Sequence, residues 1–139
     1  MKITDTIGSV LKFKSQSRIL SIAPEQSVFE ALEIMSHFDI GALLVLSGDK
    51  LLGIISERDY ARKGVLLGHL SRETPVSDIM TSPVITARQN WTLKECSLLM
   101  SEHNIHHLPV SDDQGELVGM ISAADFIVAA EAMGKDVVV

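Results

Sequence analysis

Residues Gly53 to Tyr60 read GIISERDY and residues Gly119 to Phe126 read GMISAADF, so the chain writes Gly-x-Ile-Ser-x-x-Asp-aromatic twice, 66 residues apart. A repeat of this period marks two copies of one structural unit, and units this small must share burial to hold a core. Further matches extend the copy upstream. Ser27-Val28-Phe29-Glu30-Ala31 falls on Thr92-Leu93-Lys94-Glu95-Cys96 at an offset of 65, Met35 falls on Met100, and Ala42 to Val45 falls on His107 to Val110. One residue inserted between Val110 and Gly119 converts the offset to 66.

Local patterns give each copy the same order of elements. Ile19 to Ile22 (ILSI) and Val84 to Ala87 (VITA) are short β-type runs followed by polar breaks. Ser27-x-x-Glu30 and Thr92-x-x-Glu95 are capping boxes, which satisfy free N–H groups at a helix start. Apolar residues then recur at helical spacing: Val28, Ala31, Leu32, Met35 and Phe38 in one copy, Leu93, Cys96, Leu99 and Met100 in the other. Ala42 to Leu46 and Leu51 to Ile55 flank a Gly/Asp turn and predict a hairpin, repeated as HLPV and LVGMI. Pro109 brings no N–H to a ladder and is expected at an edge or irregularity. The Ser-x-x-Asp motifs open two more helices, Glu57 to about Leu67 and Ala123 to about Met133. Each copy is thus β-α-β-β-α, an α+β sandwich with a sheet face in need of a partner. The connector is duplicated as well: ITDTI (Ile3 to Ile7) matches VSDIM (Val76 to Met80). The division by sequence is 1–68 for the N-terminal segment and first repeat, 69–83 for a linker with a short helix, and 84–139 for the second repeat and tail.

Bulk properties remove several classes of function. With 46% hydrophobic residues, 22% charged residues and a mean hydropathy of +0.25, the chain is too apolar to be disordered. Twelve Lys and Arg against 18 Asp and Glu leave a net charge of −6, a field that repels a phosphate backbone and argues against nucleic-acid binding. Cys96 is alone, so no internal disulfide forms and no Cys pair has zinc spacing, in keeping with a reducing, cytoplasmic compartment. No apolar run approaches the length of a membrane span, and Met1 to Lys14 lacks the order of a signal peptide.

Two β-α-β-β-α copies, VSDIMTSPVIT between them, HHLPV before a hairpin and Gly-h-h-Ser-x-x-Asp opening a helix together resemble a tandem pair of cystathionine-β-synthase (CBS) domains, a Bateman module. The likeness runs from about Ile3 to about Ala132 and rests on order, duplication and spacing rather than on any single motif. It implies a pseudo-twofold module with two clefts that bind adenosyl compounds such as AMP, ADP, ATP, NAD or S-adenosylmethionine, and a role as a sensor for another protein. Nearly the whole chain is taken up by the pair, so no catalytic domain is expected.

The Ser-x-x-Asp motifs admit two readings. Ser56 with Asp59, and Ser122 with Asp125, have cap spacing and can simply close a helix start. A helix start also offers N–H groups and a positive dipole end to a phosphate, while a carboxylate suits a ribose diol. The resemblance gives Asp59 and Asp125 the ribose, with Ser56 and Ser122 near the ribose-phosphate. It further implies Ile85, His106 and His107 beside Asp59, and Leu20, Gly41 and Ala42 beside Asp125, flanking the adenine. Arg58 and Arg62 have Ala124 and Val128 as counterparts, so one copy alone carries cations suited to phosphate, with Lys12, Lys14 and Arg18 as candidates for the other. His103, His106 and His107 do not define a zinc site, since no Cys or spaced carboxylate accompanies them; His106 or His107 near a nucleotide is the better functional reading.

Three functions follow. The first is an adenine-nucleotide-binding regulatory module that acts on an unidentified partner protein. The second is a small nucleotide-processing enzyme, disfavoured because no nucleophile, base and stabiliser converge around Cys96 or the histidines. The third is an assembly module with empty clefts. Leu, Met and Phe on helices covering thin sheets predict a homodimer.

Overall fold

The computed structural model describes residues 5–12 and 19–125. In chain order the elements are α1 (Ile7–Leu11), β1 (Ser21–Ile22), α2 (Val28–Phe38), β2 (Ala42–Ser47), β3 (Lys50–Ser56) and α3 (Glu57–Asp59), which runs on into a π-helical stretch, Tyr60–Val65. A 3₁₀ turn, Val76–Asp78, leads to β4 (Ala87–Arg88), α4 (Leu93–Glu102), β5 (His107–Ser111) and β6 (Leu117–Ser122). The fold is the expected α+β pair of repeats, each with a three-stranded mixed sheet, ordered β1-β2-β3 and β4-β5-β6.

The two sheets are copies down to their irregularities. In each, a two-residue strand runs parallel to the central strand, which pairs antiparallel with the third. Bulges fall at Val45/Leu46 and Val110/Ser111, the same place in both repeats. The extra residue of the second repeat lies in the turn after Ser111, where Asp112 Oδ1 accepts the N–H groups of Gln114 and Glu116 at 2.9 and 3.0 Å. Pro109 lies in the central strand β5, but β4 reaches only Val110 and Ser111, so the missing N–H falls outside that ladder. Of the two expected capping boxes only the hydroxyl half forms: Ser27 Oγ accepts from Glu30 N–H at 3.1 Å and Thr92 Oγ1 from Glu95 N–H at 3.2 Å, while the Glu30 carboxylate instead accepts from Gln26 Nε2 at 2.8 Å. After each helix, Asp39 and Asn104 take the left-handed conformation, with φ of 52° and 51°.

Packing does not follow chain order. One compact unit is Leu20–Val84; the other joins the described residues before Leu20 to those from Ile85 onward. The segment that precedes the first repeat therefore packs with the second, and the linker that precedes the second repeat packs with the first, whereas the sequence division assigns residues 1–68 and 84–139 by order alone. Paired hydrogen bonds give the register. Ile7 N–H donates to Trp91 O and Val76 N–H to Gln26 O, both at 2.8 Å; Gly8 donates to Gln89 O at 2.9 Å and Ser77 to Pro24 O at 3.0 Å. Leu93 N–H donates to Asp5 O and Val28 N–H to Thr74 O, both at 2.9 Å.

Ile7 to Leu11 (IGSVL) thus stands where Val76 to Met80 (VSDIM) stands, four residues away from the match of ITDTI with VSDIM. The sequence match followed the identity of Asp5 and Asp78; the fold follows apolar burial. Ile7 and Val10 are fully buried with Leu93, Cys96, Leu108 and Ile121, and Val76 and Ile79 are buried with Val28, Ala31, Leu43 and Ile55. The motif glycines make room for these segments. A Cβ on Gly53 would lie 2.6 Å from Met80 Sδ and 2.9 Å from Thr81 O, and one on Gly119 would lie 2.8 Å from Leu11 Cδ2.

Two local expectations are corrected. The runs ILSI and VITA supply only two-residue strands, and the second of these begins at Ala87 and extends to Arg88. The helix from Glu57 is α-helical for one turn and then π-helical, with Leu66 N–H donating to Ala61 O at 3.3 Å. Gly64 is buried against Tyr60 there, where a Cβ would lie 2.9 Å from the ring. The second such helix is described for 123–125, and its expected continuation to Met133 lies outside the described residues.

The crossed packing has a measurable consequence. Ile7→Ala removes a fully buried side chain from the core that holds Trp91, the sole tryptophan, and should destabilise that unit by about 2–5 kcal/mol. Amide exchange should accelerate in β5 and β6 while β2 and β3 keep their protection, and Trp91 emission should report the earlier transition. Faster exchange in β2 and β3 alone would overturn the assignment of α1 to the second-repeat core.

Candidate functional site

The Ser-x-x-Asp motifs sit where β3 and β6 end, held by backbone pairing on one side and a helix start on the other. Ser56 Oγ accepts the Asp59 N–H at 3.1 Å while Asp59 Oδ2 accepts the Ser56 N–H at 3.0 Å, so the capping box forms. Ser56 Oγ–H also donates to Asp59 Oδ2 at 3.0 Å. The other oxygen turns to the connector: Asp59 Oδ1 accepts the Thr81 hydroxyl at 2.9 Å and lies 3.3 Å from Lys63 Nζ. Lys63 Nζ in turn donates to Thr81 Oγ1 at 3.2 Å. In the second repeat Asp125 Oδ2 accepts the Ser122 N–H at 2.7 Å, the same first bond.

Segments before each hairpin lie against the motif of their own repeat. Gly41 O accepts the Glu57 N–H at 3.1 Å and Ala42 pairs with Ser56; His106 O accepts the Ala123 N–H at 3.1 Å and His107 pairs with Ser122. Leu20 O accepts the Leu44 N–H at 3.4 Å and thereby stands at the start of β1. Leu20, Gly41, Ala42, Ser56, Arg58 and Asp59 belong to one compact unit, and Ile85, His106, His107, Ser122 and Asp125 to the other. Arg58 is half-buried and Arg62 exposed, and the cation that meets Asp59 is Lys63, one helical turn on. Sequence reading passed over it, although the i, i+4 spacing is a readable signal. Thr81 was also missed. It lies 22 residues from Asp59 and reaches it through the bridge to Ile54, in which Thr81 N–H donates to Ile54 O at 2.8 Å and Ile54 N–H to Thr81 O at 3.1 Å.

A shallow open groove lies elsewhere, along the outer side of α2, lined by Phe29, Leu32, Ile34, His37 and Phe38 among others. Arg72 stacks over the Phe29 ring at 3.8 Å and ties the linker to its rim. Val65, Leu66, Leu67 and Leu70 are exposed beyond the π-helical stretch. Among the described residues no helix is long and apolar enough to cross a membrane, and no three His, Cys, Asp or Glu side chains are grouped to hold a metal ion.

Comparison with known proteins agrees with this geometry. The family model described as CBS domain matches twice, over residues 8–65 and 76–132. A CBS domain-containing protein, YhcV of Bacillus subtilis, is 31% identical over 120 residues, covering 86% of this chain and 84% of that protein. The solved structure of a protein with CBS domains from Burkholderia ambifaria superposes with a TM-score of 0.86 at 38% identity, covering 97% of this chain and 98% of that one. The CBS domain pair of protein MJ0100, solved in complex with 5′-methylthioadenosine and S-adenosyl-L-methionine, gives a TM-score of 0.76 at 26% identity, covering 94% and 97% of the two chains.

The thiol is outside this chemistry. Cys96 is buried in the core under α4, and its pKa is pushed up to about 12, first by burial and then by the Glu95 carboxylate. A thiol that holds its proton at neutral pH is a poor nucleophile. The folded-state pKa lies above the ordinary value of 9.0, so the contribution to stability is whole below about pH 9 and declines as pH rises from there toward 12. Denaturant unfolding should therefore show wild type losing more stability than Cys96→Ala between about pH 8 and about pH 10.5. Equal losses in the two proteins would show that the thiol does not titrate on unfolding.

Proposed function

The chain belongs to the CBS domain family, and from that membership we propose that it is a regulatory module that binds an adenosyl ligand and passes its occupancy to a partner protein. The observation that carries this reading is the duplicated, oriented carboxylate. Asp59 and Asp125 each spend Oδ2 on the Ser N–H of their own motif, which fixes the plane of the group and leaves Oδ1 to face other donors. At Asp59 that oxygen accepts a hydroxyl, Thr81's, the same kind of donor that a ribose supplies. The adenosyl compounds bound by the MJ0100 pair are consistent with a ligand chosen by its nucleoside part. AMP, ADP, ATP, NAD and S-adenosylmethionine all carry that part, and Arg58 and Lys63 favour a phosphate-bearing ligand at the first repeat.

Binding rather than turnover is the proposed activity, since the one thiol is buried and protonated and the carboxylates are committed as acceptors. We further propose that the module works as a homodimer. Exposed Val65, Leu66, Leu67 and Leu70 and the apolar groove beside α2 offer surface that a second copy would cover.

Asp59→Asn and Asp125→Asn should each weaken one binding event for AMP or 5′-methylthioadenosine by about 10- to 150-fold, the value of a hydrogen bond to a charged acceptor. Calorimetry on each variant checks this; normal affinity together with early melting would reduce the motif to a helix cap. Light scattering at micromolar concentration should return twice the 15.1 kDa mass of the chain, and a monomer would remove the homodimer from the proposal.

A further inference from the structure

The Asp59 carboxylate has no vacancy for a ribose. An ionised carboxylate accepts roughly four hydrogen bonds, two on each oxygen. Here Oδ2 receives the N–H and O–H of Ser56, and Oδ1 receives the hydroxyl of Thr81 and the ammonium of Lys63. Two of these donors belong to the motif itself. The other two are delivered by Lys63 from the π-helical stretch and by Thr81 from the connector, and Lys63 also donates to Thr81 Oγ1. That last bond uses the hydroxyl's acceptor side and leaves its proton for Asp59. The three groups form a closed set, although Thr81 is exposed and the Lys63 side chain keeps 43% of its surface in solvent.

We propose that Thr81 is a built-in competitor for the ribose acceptor, an autoinhibitory latch that sets the affinity of the first repeat and releases a connector side chain when a ligand binds. The inference rests on the adenosyl reading given above and adds a residue and a direction to it. A ribose diol brings hydroxyl donors to a carboxylate whose acceptor sites are already used, so a resident donor must leave for each hydroxyl that binds. The Ser56 N–H is held at the junction of β3 and α3, and the Ser56 hydroxyl accepts from the Asp59 N–H. Thr81 can leave by a rotation of χ1 while its backbone bonds to Ile54 persist. Ligand entry is thereby linked to the side chain of a residue in the segment between the repeats, and the linkage is reciprocal. By sequence offset the second repeat has Ala129 where the first has Lys63, and Lys12 stands at the register position of Thr81, so the Thr81–Lys63 pair is a feature of the first repeat.

The test reverses the usual expectation for a residue that touches a binding group. The probe is 5′-methylthioadenosine, which has no phosphate and so separates hydrogen-bond competition from charge attraction. Calorimetry on the full chain should show Thr81→Val and Thr81→Ala binding it about tenfold more tightly than wild type in one of two events. Thr81→Ser, which restores the hydroxyl, should return to the wild-type value. Lys63→Gln leaves the connector intact while weakening the orientation of the hydroxyl, and should bind several-fold more tightly. Weaker binding by the Val and Ala variants would make Thr81 a ligand contact and overturn the latch, and unchanged affinity would overturn it while the adenosyl reading stands. Failure of wild type and every variant to bind both 5′-methylthioadenosine and AMP would overturn the adenosyl reading and the latch with it. Binding by the Val variant alone would uphold both.

Discussion

The exchange of leading segments is the interaction on which the rest of the molecule depends. Neither three-stranded sheet closes its own core: the place beside α2 and β3 is filled by Val76 and Ile79, and the place beside α4 and β6 by Ile7 and Val10. The same segments terminate the helices. Thr74 O accepts the first N–H of α2 and Asp5 O the first N–H of α4, while Ser71 O takes the next N–H of α2 at 2.9 Å. Donors that a helix start would otherwise leave to water are met by backbone carbonyls from another part of the chain. Burial and hydrogen bonding therefore select one register together, and Gly53 and Gly119 record how closely the segments approach.

This explains why the repeated motif has the composition it has. Glycine admits the connector, alternate apolar residues enter the sheet core, serine caps the helix, and the aspartate that completes the cap also points an oxygen outward. The bland and the functional readings of Ser-x-x-Asp are consequently not rivals. The capping box holds the carboxylate still and leaves its two oxygens with different partners, which is the preorganisation that the proposed recognition of a diol would need. The Lys63 and Thr81 contacts show the outward oxygen in use within the chain.

Much of this was legible in the sequence where the cause is local. The N-cap hydroxyls of Ser27 and Thr92, the Gly/Asp turn after Ser47 and the alternation along the hairpins each depend on neighbours within a few residues, and each element stands where the pattern puts it. Features set by distant partners were not. The leading strands β1 and β4 are two residues long because a strand extends only as far as it hydrogen-bonds to its partner, which a local run such as ILSI does not encode. The connector's register depended on which apolar side chains find a cavity, and a shared aspartate misled the match. Thr81 was invisible for the same reason: its meeting with Asp59 is made by a bridge between segments far apart in the chain.

Crossed packing also separates the order of synthesis from the order of completion. Leu20–Val84 is one uninterrupted stretch and holds every residue of its core, including Val76 and Ile79. All the residues of that core are on hand as soon as its last one emerges. The other core is built from both sides of that stretch, so Ile7 and Val10 wait for Leu108 and Ile121, which come more than ninety residues later. Two halves that are near copies thus have unequal histories in time, the one local in sequence, the other closed only after the stretch between its two parts has been made.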